Sequence, residues 1–294
     1  MQKLESKIMA FLKEELVRYA LCKGIGAKLS IELITHLIEN PSLPIGDLVS
    51  RINLSLDKQA FFLKQYHALD FKEIQQKYEE LEIGWITILD DHYPEYLKHS
   101  YNPPAVLFYQ GNINLLNRKI LAIVGSRKST NYGKSVLQKL LPELIAEDFV
   151  TVSGLALGID QEVHQQTIKL GGNTIGVIGT GLDLCYPKNN QALQQRMRRE
   201  QLVLSEYPLG AKPLKQHFPM RNRIIAGVSV GTVVIEAAFR SGSLITANLA
   251  LQEGREVFAI PGNVTNLSSG GTNDLIVHGA KCVTNAGHIL EEFY

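Results

Sequence analysis

Cysteine is scarce in this chain. Cys22, Cys185 and Cys282 are the three in 294 residues, far apart, with no Cys-x-x-Cys pair and no histidine at zinc-ligand spacing. That excludes a disulfide framework and a sequence-encoded zinc site, so neither a metal nor a cofactor is expected and the thiols read as free or buried. Long hydrophobic runs are missing too, since no stretch approaches the roughly 18 consecutive apolar residues of a membrane span. The opening MQKLESKIMAFLKEEL mixes acids with bases, unlike a signal peptide. A cytoplasmic protein with no membrane association is the expectation. Charge of one sign is also lacking: 30 Lys and Arg against 29 Asp and Glu leave a formal net charge of +1, which neither demands nor excludes a nucleic-acid partner. Internal repeats and low-complexity tracts are absent, which argues against a solenoid.

What is present is an ordinary core-forming composition, 45% hydrophobic and 20% charged, in a length that suits one large domain plus a small one. Residues 1–84 read as the small, all-helical one, because Leu16, Tyr19 and Ala20, then Leu29, Leu33, Ile34 and Leu37, recur three and four apart. Between these stretches, Lys23-Gly24-Ile25-Gly26 resembles the turn of a helix-hairpin-helix, which holds backbone phosphates on exposed amides. The same glycines would equally serve a tight turn between packed helices.

Residues 85–294 read as the large domain. A connecting region with Pro94, Pro103 and Pro104 leads into apolar runs at 120–124, 150–153, 174–178, 202–205, 232–235, 257–260 and 282–284. These are mostly β-branched or aliphatic and read as buried parallel strands. Helices are predicted between them at 135–146, 160–170, 192–199, 222–227, 244–252 and 274–278. Such βα repetition with right-handed crossovers predicts an α/β fold, a doubly wound, mostly parallel Rossmann-like sheet organising everything after residue 105.

In open sheets of this kind ligands bind beyond the C-terminal strand ends. Gly125-Ser126-Arg127 follows the first run, Ser153-Gly154 with Gly158 and Asp160 the second, and Gly179-Thr180-Gly181 the third. Glycines let backbone amides approach an anion, and Arg127 offers a bidentate fork for phosphate oxygens; the same glycines also suit plain βα turns, with Asp160 complementing its helix. No Gly-x-Gly-x-x-Gly follows the first run, and Gly133-Lys134-Ser135 lacks the earlier glycine of a P-loop, Lys128 standing there. Asp160 and His164 lie one helical turn apart, but no strand-end Ser or Cys forms a nucleophile elbow beside them. A non-catalytic protein is expected, with His164 packed or solvated. From Lys188 to Arg223 eight basic residues face two acidic ones, either a solvated face or part of a phosphate-tracking surface.

Four blocks together resemble the DprA/Smf family: VGSR at 124–127, SGLALGIDQEVH at 153–164, GTGLDLCYPKNN at 179–190 and FPMRNRIIAG at 218–227. The similarity continues through 241–262 and 270–280, and so covers roughly residues 85–290. It implies an extended Rossmann-like DNA-binding body behind a sterile-alpha-motif-like helical domain. The implied function is to bind and protect single-stranded DNA without catalysis and to load the recombinase RecA onto it, also where single-strand binding protein coats the strand, during natural transformation. Carried over by position, the phosphate contacts are Arg127 and Lys188, with Gly125, Ser126, Ser153 and Gly154 lining the pocket. Arg221 and Arg223 stand two apart and cannot share one helix face, so at most one is expected to meet DNA while Asn222 bonds locally. Phe218 and Tyr186 are candidates for base stacking or for core packing. Ser241, Gly242 and Ser243 open a helix, where they either bind an anion on free amides or cap the helix, with capping close to the pocket as the favoured reading. The resemblance also implies a homodimer, and Leu275, Ile276, Val277 and Cys282 are the candidate interface. Functions resting on the C-terminal winged-helix-like module of some members are not expected.

Two other functions remain open. Gly231-Thr232 followed by Glu236 resembles an element of Rossmann-type enzymes that cleave nucleoside-monophosphate glycosidic bonds, although Ala226–Val230 stands where their Pro-Gly-Gly would be. A small-nucleotide sensor without DNA activity is the other.

Overall fold

Alternation within one strand builds two of the cores. Ile120, Ala122 and Val124 face one side of the sheet and Leu121 and Ile123 the other, as the two-residue period of a strand requires. The computed structural model describes residues 2–294. Five helices come first: α1 (Gln2–Leu21), α2 (Ala27–Glu39), α3 (Ile45–Ser50), α4 (Leu56–Ala68) and α5 (Phe71–Glu80). There follow β1 (Gly84–Thr87), α6 (Glu95–Lys98), β2 (Val106–Gly111), β3 (Ile120–Val124), α7 (Asn131–Ala146), β4 (Val150–Ser153), α8 (Ile159–Lys169), β5 (Thr174–Ile178), α9 (Gln191–Glu200) and β6 (Leu202–Ser205). The remainder is α10 (His217–Val228), β7 (Gly231–Val234), α11 (Gly242–Gln252), β8 (Glu256–Ala259), α12 (Gly270–Val277), β9 (Lys281–Cys282) and α13 (Gly287–Leu290).

The strands form one sheet in the order β1-β2-β6-β5-β4-β3-β7-β8-β9. From β6 to β9 every pairing is parallel, and the order runs outward from β3 in both directions. That is a doubly wound sheet whose switch point lies between β3 and β7. One face is covered by α6, α10, α11 and α12 through Leu97, Ile224, Ile225, Ala247 and Leu275. The other is covered by α7, α8 and α13 through Leu137, Leu141, Val163 and Ile289. The front helices share a third core with β2, α9 and β6: Leu16, Tyr19, Leu33, Phe62 and Tyr78 are continuous with Phe108, Met197 and Val203.

Two features differ from the sequence expectation. The stretch read as a connector contains β1, which pairs antiparallel with β2, and β2 pairs antiparallel with β6. A four-residue strand whose partner begins 19 residues later carries too short a pattern to declare itself. Helix α10 begins at His217, five residues before the expected start, because Pro219 falls in the first turn, where a missing N–H costs nothing.

Candidate nucleic-acid interface

The loops after β3, β4 and β5 converge at one edge of the sheet. Gly158 sits at φ +79°, and a Cβ there would lie 2.3 Å from the Ser126 carbonyl oxygen, so only glycine lets the β4–α8 loop press against the β3–α7 loop. The contact is locked by Ile159, whose N–H donates to the Ser126 carbonyl at 3.0 Å. The Ser126 hydroxyl is engaged within its own loop, accepting from the Lys128 N–H at 3.1 Å. Arg127 then projects outward, its guanidinium carbon 5.9 Å from the centre of the Phe218 ring. Phe218 lies 5.5 Å from Tyr186, which is 48% exposed. Lys188, two residues after Tyr186, is exposed. Asn190 anchors that segment, its buried amide donating to the carbonyls of Leu155 at 2.8 Å and Ala156 at 3.1 Å. Arg127, Phe218 and Tyr186, expected separately from their motifs, thus form one chain of contacts, and exposed Lys188 follows two residues after Tyr186.

Arg221 and Arg223 are placed elsewhere. Arg221 is 5% exposed and donates to the carbonyls of Gly154 and Val177 and to Asn222. The Gly154 N–H in turn donates to Asp160 at 3.1 Å, so this residue is held at both its N–H and its C=O. Burial pulls the Arg221 guanidinium down to about 10, with the Asp160 charge opposing, and burial raises the Asp160 carboxyl against the pull of Arg221. Arg223 pairs with Glu206 in a largely covered ion pair. Neither guanidinium is therefore presented to solvent, where the sequence reading reserved one of them for DNA. Asn222 accepts from its neighbour Arg221 at 3.0 Å, and its amide also donates to the Gly242 carbonyl at 3.3 Å, 20 residues on, tying α10 to the start of α11. Ser241 caps α11, its hydroxyl accepting from the Ser243 N–H, and Gly242 is exposed beside it. Ser153 and Gly154 are buried beneath the loops.

His164 is fully buried, and its Nδ1 lies 2.7 Å from the Thr174 hydroxyl. Burial, with the Arg221 charge adding, pushes its imidazole down to about 3. At the front turn, the backbone of Lys23 is bonded at both N–H and C=O to the Gln65 side chain, which takes one of the amides a phosphate would have used.

Sequence reasoning missed three residues that build this edge: Asn190, Glu236 and His217. His217 stacks on Tyr207 at 3.9 Å and reaches the Gly179 carbonyl at 3.0 Å, steadying the turn that leads into Phe218. Asn190 was visible as the residue before a helix in the YPKNN block. Glu236 was visible only through its likeness to an enzyme element. For His217 no local signal exists.

A doubly wound α/β sheet whose glycine-bearing loops meet at its strand ends defines a Rossmann-like protein. The model of one family, DNA recombination-mediator protein A, matches residues 84–294, and the chain belongs to that family. The chain is 46% identical to DNA processing protein DprA of Streptococcus pneumoniae over 80% of this chain and 82% of that one. It is 47% identical to the Bacillus subtilis protein of the same name over 73% of each. The X-ray structure of the S. pneumoniae protein superimposes with a TM-score of 0.86 at 40% identity, covering 95% of this chain and 97% of the other. A Helicobacter pylori DNA processing protein A, whose structure is described for its single-stranded DNA binding mode, matches with a TM-score of 0.66 at 29% identity over 72% of this chain and 95% of its own.

Proposed function

We propose that this protein binds single-stranded DNA along the strand-end crevice, without catalysis, and mediates recombination by presenting the strand to the recombinase RecA during natural transformation. The observation that carries the reading is the run of contacts from Arg127 across the Phe218 ring to the exposed Tyr186 ring, with exposed Lys188 two residues further along the chain. The two cations take successive backbone phosphates, and the tilted ring pair offers a face to an unpaired base, a contact duplex DNA cannot make without unstacking. Gly125, Ser126, Ser153 and Gly154 shape the floor, and Arg221 holds that floor from below. The single-stranded DNA binding described for the H. pylori relative supports a strand-binding role. Access to strands coated by single-strand binding protein and a homodimer formed through α12 and β9 belong to the same proposal.

Fluorescence anisotropy with labelled single-stranded and duplex oligonucleotides tests it. Single strands are expected to bind more tightly, with affinity falling as salt rises. Arg127→Ala and Lys188→Ala are each expected to weaken binding about tenfold, as the loss of one charge-assisted contact implies. Unchanged binding by both variants, with melting curves like the parent's, would refute the site.

A further inference from the structure

We infer that Glu236 is a positioning residue for Arg127: its buried carboxylate latches the end of β7 to the start of α7 and so sets where the Arg127 guanidinium stands. The inference rests on the single-strand reading above.

Parallel pairing brings Glu236 to this place. Val124 is in register with Val234, and the Ile235 N–H donates to the Val124 carbonyl at 3.0 Å, so the next residue of the β7 side lies level with the β3–α7 loop. Glu236 is 2% exposed and gives both oxygens to one residue. Its Oε2 accepts from the Thr130 N–H at 3.0 Å and its Oε1 from the Thr130 hydroxyl at 2.5 Å. Thr130 in turn caps α7, its hydroxyl accepting from the Gly133 N–H at 3.4 Å. Gly133 makes room for the latch, since a Cβ there would lie 2.4 Å from Glu236 Oε2 and 2.8 Å from Ile159 Cδ1.

Among the described residues no cation bonds this buried carboxylate, which lies beside a surface for phosphates and works against the site in two ways. It is costly to desolvate and it repels the ligand. What it supplies is a group that only accepts, matched to two donors on one residue. A glutamine would leave the Thr130 hydroxyl proton without a partner. The Arg127 loop is thereby pinned at both ends, at Ser126 by Ile159 and at Thr130 by Glu236, while the guanidinium lies over the Phe218 ring. The glutamate that resembled an element of nucleotide-cleaving enzymes is thus occupied by Thr130, within the switch-point crevice between β3 and β7.

The test uses the full chain and labelled oligo-dT, with melting curves on every variant. If the carboxylate were an idle charge, Glu236→Ala would tighten DNA binding. The latch predicts the opposite sign: about tenfold weaker binding, as for loss of one charge-assisted contact, and a log–log salt slope smaller by about 0.7, the value for one phosphate contact on a single strand. Glu236→Gln is expected to fall between parent and alanine variant, and Thr130→Val to weaken binding like Glu236→Ala. The double variant Arg127→Ala/Glu236→Ala is expected to bind no more weakly than Arg127→Ala alone, because both changes remove the same contact. Unchanged or tighter binding by folded Glu236→Ala, or additive losses in the double variant, overturns the latch while the DNA site stands. Should the alanine variant not fold, Thr130→Val and Glu236→Gln decide on the same criteria. If Arg127→Ala itself leaves binding unchanged, the DNA reading falls and the latch falls with it.

Discussion

Within one six-residue motif, three cationic or aromatic side chains have three different fates. In FPMRNR, Phe218 lines the open surface, Arg221 is sealed against backbone carbonyls and Arg223 is closed into a pair with Glu206. Spacing alone established that the two arginines diverge; it carried no information on whether either reaches solvent. His164 yields a prediction at this scale. Its imidazole is held neutral down to about pH 3 in the folded chain, whereas in the unfolded chain it takes up a proton near 6.5. The stability it contributes is therefore complete above about pH 6.5 and is lost as pH falls toward 3, at up to about 1.4 kcal/mol per pH unit. Melting temperatures between pH 7 and pH 4 are expected to fall more steeply in the parent than in His164→Gln. Parallel curves would show that the group does not titrate in this way.

Among the elements, the parallel strands were legible because each is a short run of β-branched and aliphatic residues buried on both faces; the runs at 120–124, 150–153, 174–178 and 202–205 fall on β3, β4, β5 and β6 residue for residue. The antiparallel β1 and β2 were not, because their pairing is made by distant partners and not by a local pattern. The candidate dimer segment separates by face once α12 and β9 are in place. Leu275 turns into the core and Ile276 is half-buried, while Val277 is 81% exposed and Cys282 is exposed on the edge strand. If this edge joins two copies, Val277→Asp is expected to leave the melting temperature nearly unchanged and to convert a dimer to monomer in sedimentation equilibrium at micromolar concentration. A parent protein that sediments as a monomer would remove the dimer from the proposal.

At the scale of the whole molecule, the front helices are joined to the sheet by specific bonds as well as a shared core. Tyr78 of α5 accepts from the Leu209 N–H at 3.1 Å, in the loop that also carries Tyr207 against His217. Lys13 of α1 meets Asp90 at 2.7 Å, and Asp90 also accepts from the hydroxyl and N–H of Thr87 at 2.7 Å each. Burial works to raise the Asp90 carboxyl, but the bonds from Lys13 and Thr87 outweigh it and hold the group below the ordinary range. A carboxyl lowered on folding stabilises above its unfolded value of about 4 and loses that contribution as pH falls below it. Asp90→Asn is expected to cost about 1 kcal/mol near neutrality, and less once the parent's carboxyl is protonated, read from denaturant unfolding at pH 7 and pH 3. A cost that does not change between the two would assign the loss to packing.

Local pattern was enough for the fold class and for the glycine turns that follow the strands, because strand burial and turn residues are written within a few neighbouring residues. Folding decided which of the remaining charges face outward. The carbonyls that seal Arg221 come from Gly154 and Val177, 67 and 44 residues away, and the hydroxyl and amide that engage Glu236 come from Thr130, 106 residues away. A polar side chain far from its partners in sequence has its role set by the sheet order, since only the crossing of β3, β4, β5 and β7 brings those groups within bonding distance.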